Sequence, residues 1–466
     1  MKLRRVVAVV IGLVTALLGA LLVPAQAAGT ATVTTVGFSF VPAALSIARG
    51  DSLLLDNADV APHNISSVDP TLFRSADVQP GATGEVVGVP DLEEGQYPFY
   101  CELHPWMRGV LDVGSAPTPP LPPVPVPGFG ALPVGGTVVT PTSLTTFGGS
   151  MYVASYATGV VSELPILAGG LLGPPTPYAS GFTNPLGIAF APDGTLFVAD
   201  SHASTTPGRS VDGRVWAVDP SGAMTVAVDG LPNGRHNTNG MAVHDGRLYI
   251  ANGNSTDNGN PDSPGGPAEV PDRSGALLSM DVDERGLTSA DVRVEAVGMR
   301  NIYDVEFRDG TDEAWLPMNG PDTFDPYGED LLLKADVGSE QPDFGFPACL
   351  YGPGGVTDWI DNSAVSATCE GTQKLPEQLL GLHVSADGLA FDVAGTFLYI
   401  AEFGNFFGNE VVGHKVVRVP VDAAGGTSPP QDVLVGGAPL DVTATADGIY
   451  VADFASGQIL LIRPLT

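Results

Sequence analysis

The chain has 466 residues, room for about two to four ordinary domains. Apolar residues make up 44% and charged residues 15%, so a large core can be buried and wholesale disorder is excluded. Twenty basic against 52 acidic residues leave a net charge of −32, which excludes the basic footprint of a nucleic-acid-binding protein.

The first element is a targeting segment. Lys2, Arg4 and Arg5 precede an apolar run from Val6 to Val23, and Ala25-Gln26-Ala27 supplies a small-residue cleavage pattern. Residues 1–27 read as a secretory signal peptide; the alternative is an uncleaved anchor. After its removal no span is long enough to cross a bilayer, so an extracellular or periplasmic location is expected.

Residues 28–114 follow as short strands broken by Gly, Pro and Asp, for which a small β-sandwich is expected. Its end carries Cys101-Glu102-Leu103-His104-Pro105-Trp106-Met107, three potential ligands at spacings of three, and His63 stands upstream in Ala61-Pro62-His63-Asn64. A soft thiolate, two imidazoles and a weak thioether suit a mononuclear electron-transfer copper site, whereas a thioether is a poor zinc ligand. The four expected copper ligands are His63, Cys101, His104 and Met107.

Seven prolines lie between 117 and 127. Such a run favours polyproline II, and residues 115–130 read as a semi-rigid linker, either a tuned tether or a plain protease-resistant spacer.

Residues 131–466 repeat a unit of alternating strand, two-residue turn, and strand ending in Tyr/Phe-Val/Ile-Ala. The turns are Gly148-Gly149, Asp193-Gly194, Asp245-Gly246, Asp309-Gly310, Ala394-Gly395 and Asp447-Gly448. Asp-Gly between alternating strands is a strong hairpin signal, and six units at this period predict a six-bladed β-propeller. The fold class is therefore all-β. The long gap between the fourth and fifth turns implies an insertion, and its Cys349 and Cys369 are expected to pair as a disulfide, leaving Cys101 free. Polar clusters precede or follow blade strands at Arg235-His236-Asn237, Met299-Arg300-Asn301, Asn319-Gly320-Pro321-Asp322 and Leu382-His383, which predicts one site at a mouth of the channel.

Two resemblances attach to these residues. The stretch His63–Met107 resembles the cupredoxins, type 1 (blue) copper proteins, and its short Cys-x-x-His-x-x-Met loop is most similar to amicyanin. That resemblance implies one-electron transfer, with His104 at the exposed edge. Residues from about 180 to 466 resemble the soluble glucose/sorbosone dehydrogenase family, six-bladed propellers that use pyrroloquinoline quinone (PQQ) with calcium. Carried over by motif, His236 is the catalytic base, Arg300, Asn301, His383 and Lys415 bind the quinone, and the carbonyls of Gly320 and Pro321 bind calcium. Two cationic positions of that family are replaced here, by Gly437-Ala438-Pro439-Leu440 and by Gly404-Asn405-Phe406-Phe407-Gly408-Asn409.

The resulting expectation is a secreted copper protein whose propeller oxidises a sugar or polyol with a quinone and passes electrons to the type 1 copper and on to an external redox partner protein. The alternative is a non-catalytic propeller scaffold carrying a blue copper domain. A third option, a metal-dependent hydrolase of lactonase type, would draw on Glu306, Asp322 and Glu402.

Overall fold

The computed structural model describes residues 29–36, 39–41, 44–69, 71–93, 95–104, 107–114, 122–201, 212–261, 266–322, 326–405 and 412–465. The segment 1–27, read from the sequence as a signal peptide, lies outside them. Among the described residues no helix is long and apolar enough to cross a membrane.

The N-terminal domain is built from nine short strands in one hydrogen-bonded path. Alternation sets the inner face: Ser52–Asn57 points Leu53, Leu55 and Asn57 inward. This strand runs parallel to Thr30–Val36, and Ala44–Ile47 runs parallel to Arg108–Val113. The core they enclose includes Val33, Phe40, Leu53, Leu55, Ile65, Phe99 and Leu111, together with Cys101 and Met107.

Of seven further sheets among the described residues, six are blades, each opening on an inner strand and stepping outward through antiparallel neighbours except that Leu287–Thr288 joins Met224–Pro232 in parallel; the seventh is a two-stranded pair. Blade 1 is Pro141–Phe147, Ser150–Ser155, Val160–Pro165 and Thr176–Ser180. The remaining inner strands are Pro185–Phe190, Thr238–His244, the interrupted pair Asn301–Ile302 and Glu306–Phe307, Ala386–Phe391, and Pro439–Thr445. Neighbouring inner strands touch around the whole ring, the last returning to the first. Second strands bury both faces, as in Ser150–Ser155. Blades accordingly share their cores: Tyr152, Ala154 and Val161 pack with Ile188, Leu196 and Val198, and Met151 and Val153 with Tyr450 and Leu461.

Polar latches at equivalent inner-strand positions tie blades together. The Leu144 N–H donates to Asp441 Oδ2 (2.6 Å), Ile188 N–H to Ser143 Oγ (3.3 Å) and Leu389 N–H to Asp304 Oδ2 (3.3 Å). Gly240 and Gly388 lie where a Cβ would collide with Asp304 and Asp441, so glycine is required at those close approaches.

The ring closes on its own beginning. Phe129–Pro133 pairs with Ile459–Pro464 as the outer strand of blade 6, and Val124–Pro125 adds an outermost strand to blade 5 through Gln431–Val435. The propeller's first paired residues thus fall inside the segment 115–130 read as linker. The insertion lies in blade 4, between Glu329–Asp336 and Gln378–Leu382, where Cys349–Tyr351 pairs with Trp359–Asp361 and Cys349 is disulfide-bonded to Cys369.

Candidate functional site

Two separate constellations carry chemistry. In the N-terminal domain, Cys101 follows directly on Gly95–Tyr100, and the loop to Arg108–Val113 is closed by Cys101 N–H to the Met107 carbonyl (3.0 Å) and Met107 N–H to the His104 carbonyl (2.9 Å). His63 comes from a distant segment held by a bridge to Val78. These elements bring His63 Nδ1 and His104 Nδ1 to 3.8 and 3.7 Å from Cys101 Sγ and to 3.1 Å from each other.

Each separation is shorter than the sum of two metal bonds, about 4.1 Å for two imidazole nitrogens and about 4.3 Å for nitrogen plus thiolate, so one ion can touch all three. His63 and Cys101 are fully buried, Met107 is buried beside them, and His104 is only partly covered. The outer contacts set the donor atoms. Asp59, itself buried, lies 3.2 Å from His63 Nε2, so that nitrogen carries the proton and leaves the Nδ1 lone pair for a metal. Burial and the charge of His104 hold the His63 pKa below the usual imidazole value, which favours the neutral ligand form. The Asn64 N–H faces Cys101 Sγ at 3.5 Å, and Asn64 Oδ1 accepts from Glu102 N–H at 2.8 Å, tying the ligand loop to the His63 segment.

The second constellation sits where loops enter the inner strands of blades 3, 4 and 5. Arg300 is 2% exposed; it donates to Asp257 Oδ1 (2.6 Å), the Asp257 carbonyl (2.9 Å) and the Asn319 carbonyl (3.2 Å). Asn301 donates to Asn319 Oδ1 (2.6 Å) and accepts from Asn239 (2.9 Å). His236 is half-buried, with Nδ1 2.7 Å from Asn254 Oδ1. Burial, then the charges of Arg300 and Arg235, hold its pKa well below the ordinary value, so it is a neutral imidazole at physiological pH.

Arg235 pairs with Asp322 and Asp257. The Gly320 N–H donates to Asp330 Oδ1 (2.8 Å), and Ala386 N–H to Asp330 Oδ2 (3.1 Å). Asp330 feels the charges of both Arg300 and His383, while Glu402 feels those of Lys415 and Asp330. His236, Arg300, Asn301 and Gly320 are thus linked through Asn254, Asp257, Asn319 and Asp330, and His383 and Lys415 to them only through the charges of Asp330 and Glu402. His383 occupies the left-handed region at φ 57°, and Lys415 is committed to Asp432 (2.9 Å) and Glu402 (3.6 Å). Glu306, Asp322 and Glu402 form no group close enough to share a metal ion among the described residues.

Residues at these sites that escaped sequence reading include Asp59, Asn254 with its partner Glu269 (2.8 Å), Asp257 and Asp330. Only Asp59 had a local signal, four residues before His63.

Residues 7–113 match the family model of the cupredoxin-like domain. The N-terminal domain is a cupredoxin. The rest of the chain is similar in fold to solved propellers that are far apart in sequence. The PQQ domain of pyranose dehydrogenase from Coprinopsis cinerea superposes with a TM-score of 0.61 at 20% identity, covering 74% of this chain and 99% of that one. The family AA12 carbohydrate-active enzyme of Trichoderma reesei gives 0.60 at 17%, covering 74% and 98%. The PQQ-bound aldose sugar dehydrogenase of Streptomyces coelicolor gives 0.50 at 17%, covering 73% and 100%. No curated protein sequence matches the chain. The chain thus joins a cupredoxin to a propeller with the fold of PQQ-dependent sugar dehydrogenases.

Proposed function

We propose that this is an exported electron-transfer protein in which the propeller oxidises a hydroxyl of a sugar or polyol and a type 1 copper in the cupredoxin receives the electrons. The observation that carries the reading is the buried convergence of Cys101 Sγ with the Nδ1 atoms of His63 and His104, on a chain whose other domain has a dehydrogenase fold. Copper, held by these three and by Met107 as a weak fourth ligand, supplies one-electron cycling. The partly covered His104 is the natural edge for exchange with an external redox protein.

In the propeller, His236 is the proton acceptor: its Nδ1 is engaged by Asn254, and its Nε2 makes no hydrogen bond among the described residues. Pyrroloquinoline quinone with calcium, when bound, supplies the two-electron oxidation. Arg300, Asn301, His383 and Lys415 would hold the quinone, and the Gly320 and Pro321 carbonyls the calcium. The donor set suits a tricarboxylate only in company with a divalent cation. Arg235, Arg300 and Lys415 already face Asp257, Asp322, Asp432 and Glu402, so the protein alone offers little surplus positive charge.

The test uses the full chain loaded with copper, PQQ and calcium, offered a panel of aldoses and polyols without oxygen. The expected result is bleaching of the visible copper colour, two coppers reduced per hydroxyl oxidised, with quinone retention lost on calcium removal. A second reading, a binding scaffold without turnover, is favoured by the internal commitment of Arg300 to Asp257. Failure to retain quinone or to turn over any sugar, with copper still bound, would select it.

A further inference from the structure

We infer that Glu269 is a positioning residue that, through Asn254, fixes which nitrogen of His236 carries the proton. Asn254 is 1% exposed, and both N–H bonds of its amide are spent, on the Thr256 carbonyl (2.6 Å) and on Glu269 Oε1 (2.8 Å). Its Oδ1 is what remains to face His236, and a contact of 2.7 Å to Nδ1 is a hydrogen bond only when Nδ1 is the donor. The Nε2 atom then keeps its lone pair.

An isolated asparagine would not enforce this choice. Turning its amide over by half a revolution presents N–H to the imidazole, and His236 then answers with the opposite tautomer, whose Nε2 bears hydrogen and cannot take a proton. A carboxylate is an acceptor only, so at position 269 it joins the Thr256 carbonyl in rejecting the turned-over amide, which would set oxygen against oxygen. Glu269 is itself anchored: Oε2 accepts from Ser255 N–H at 3.1 Å, and Oε1 accepts from the Thr256 hydroxyl. A line of polarity thus runs from the anionic Glu269 through a neutral amide to the base. It orients the imidazole without placing a negative charge against it, in keeping with a His236 that stays neutral.

The catalytic meaning of this relay rests on the proposed role of His236, whereas the tautomer can be read without turnover. The experiment is ¹⁵N NMR of the full chain labelled at histidine, with the His236 signals assigned by their loss in His236→Gln. In the native chain Nδ1 should show the protonated shift and Nε2 the lone-pair shift. In Glu269→Gln, whose side-chain amide can both donate and accept, the Nε2-protonated tautomer should rise measurably but stay below half the population, because the Thr256 carbonyl still opposes the turned-over amide. Glu269→Asp should restore the native pattern. Asn254→Ala, which removes the intermediate itself, should abolish the preference and provides the reading if Glu269→Gln does not fold. An Nε2-protonated His236 in the native chain, or an unchanged tautomer in Glu269→Gln, overturns the inference. In chains that oxidise sugar, Glu269→Gln should lower kcat by the fraction of His236 in the Nε2-protonated tautomer, less than twofold, at unchanged KM. Native tautomer signals in a chain without turnover would defeat the enzyme reading and leave the relay standing.

Discussion

Removing Asp257 tests how the propeller mouth is held. Arg300 is almost wholly buried, and Asp257 supplies its one short contact to a carboxylate, at 2.6 Å. Asp257→Ala leaves the guanidinium its two carbonyl acceptors and, as counter-charge, only the exposed Asp322 carboxylate 3.7 Å away. Removing one partner of a buried ion pair costs about 3–5 kcal/mol, and the two surviving hydrogen bonds put this case near the lower end, about 3 kcal/mol. Asp257→Asn keeps an acceptor and should cost roughly half as much. The measurement is urea unfolding of the full chain at pH 7, comparing propeller midpoints at constant slope.

The pH arm follows from the pair's chemistry. Burial alone would raise the Asp257 pKa; the charge of Arg300, the Asp322 N–H and the charge of Arg235 outweigh it and hold it below the usual carboxylate value. Its contribution is therefore complete above about pH 4 and disappears as pH falls through the depressed native value. A wild-type midpoint in Asp257→Ala, or equal costs for Ala and Asn, would mean that the buried pair does not hold the mouth.

Four further outcomes are expected. Cys101→Ser should abolish stoichiometric copper binding and the intense visible absorption while leaving propeller unfolding unchanged, as metal analysis and absorption spectra would read. Asp441→Ala strands the Leu144 and Val442 N–H groups at the blade 6–blade 1 seam and should destabilise the propeller by about 2–4 kcal/mol in urea. Burial pushes Asp304 and Asp330 up to about 7 and Glu306 and Glu402 up to about 8. The native state then keeps protons that the unfolded chain releases above about pH 4, so stability should fall as pH rises from about 4 to 8. Thermal midpoints across that range would check this, with Glu402→Gln flattening the slope. Deleting residues 1–134 takes away the strand Phe129–Pro133 and should leave a propeller that melts well below the chain starting at 122, by calorimetry.

What was legible in the sequence had local chemistry. The Asp-Gly turns marked blades because the hairpin demands those residues, and Cys101, His104 and Met107 lie on one short loop. The less regular fourth unit proved to have a divided inner strand, Asn301–Ile302 and Glu306–Phe307. The proline-rich stretch concealed Val124–Pro125, because a residue without an N–H signals a spacer yet is tolerated on an outermost strand. The supports of His236 and Arg300 stayed hidden for another reason. Asn254 and Asp257 reach their partners across loops, 18 and 43 residues away, and no periodicity records such meetings.

The pairing of Phe129–Pro133 with Ile459–Pro464 imposes a timetable on synthesis. Every strand of the N-terminal domain has been made once Val113 is reached, so that domain can finish folding early. The ring has to wait until Ile459–Pro464 has emerged, the strand Phe129–Pro133 idle meanwhile as an open edge. A chain cut before Ile459–Pro464 would be left with a sound N-terminal domain and an unlatched wheel.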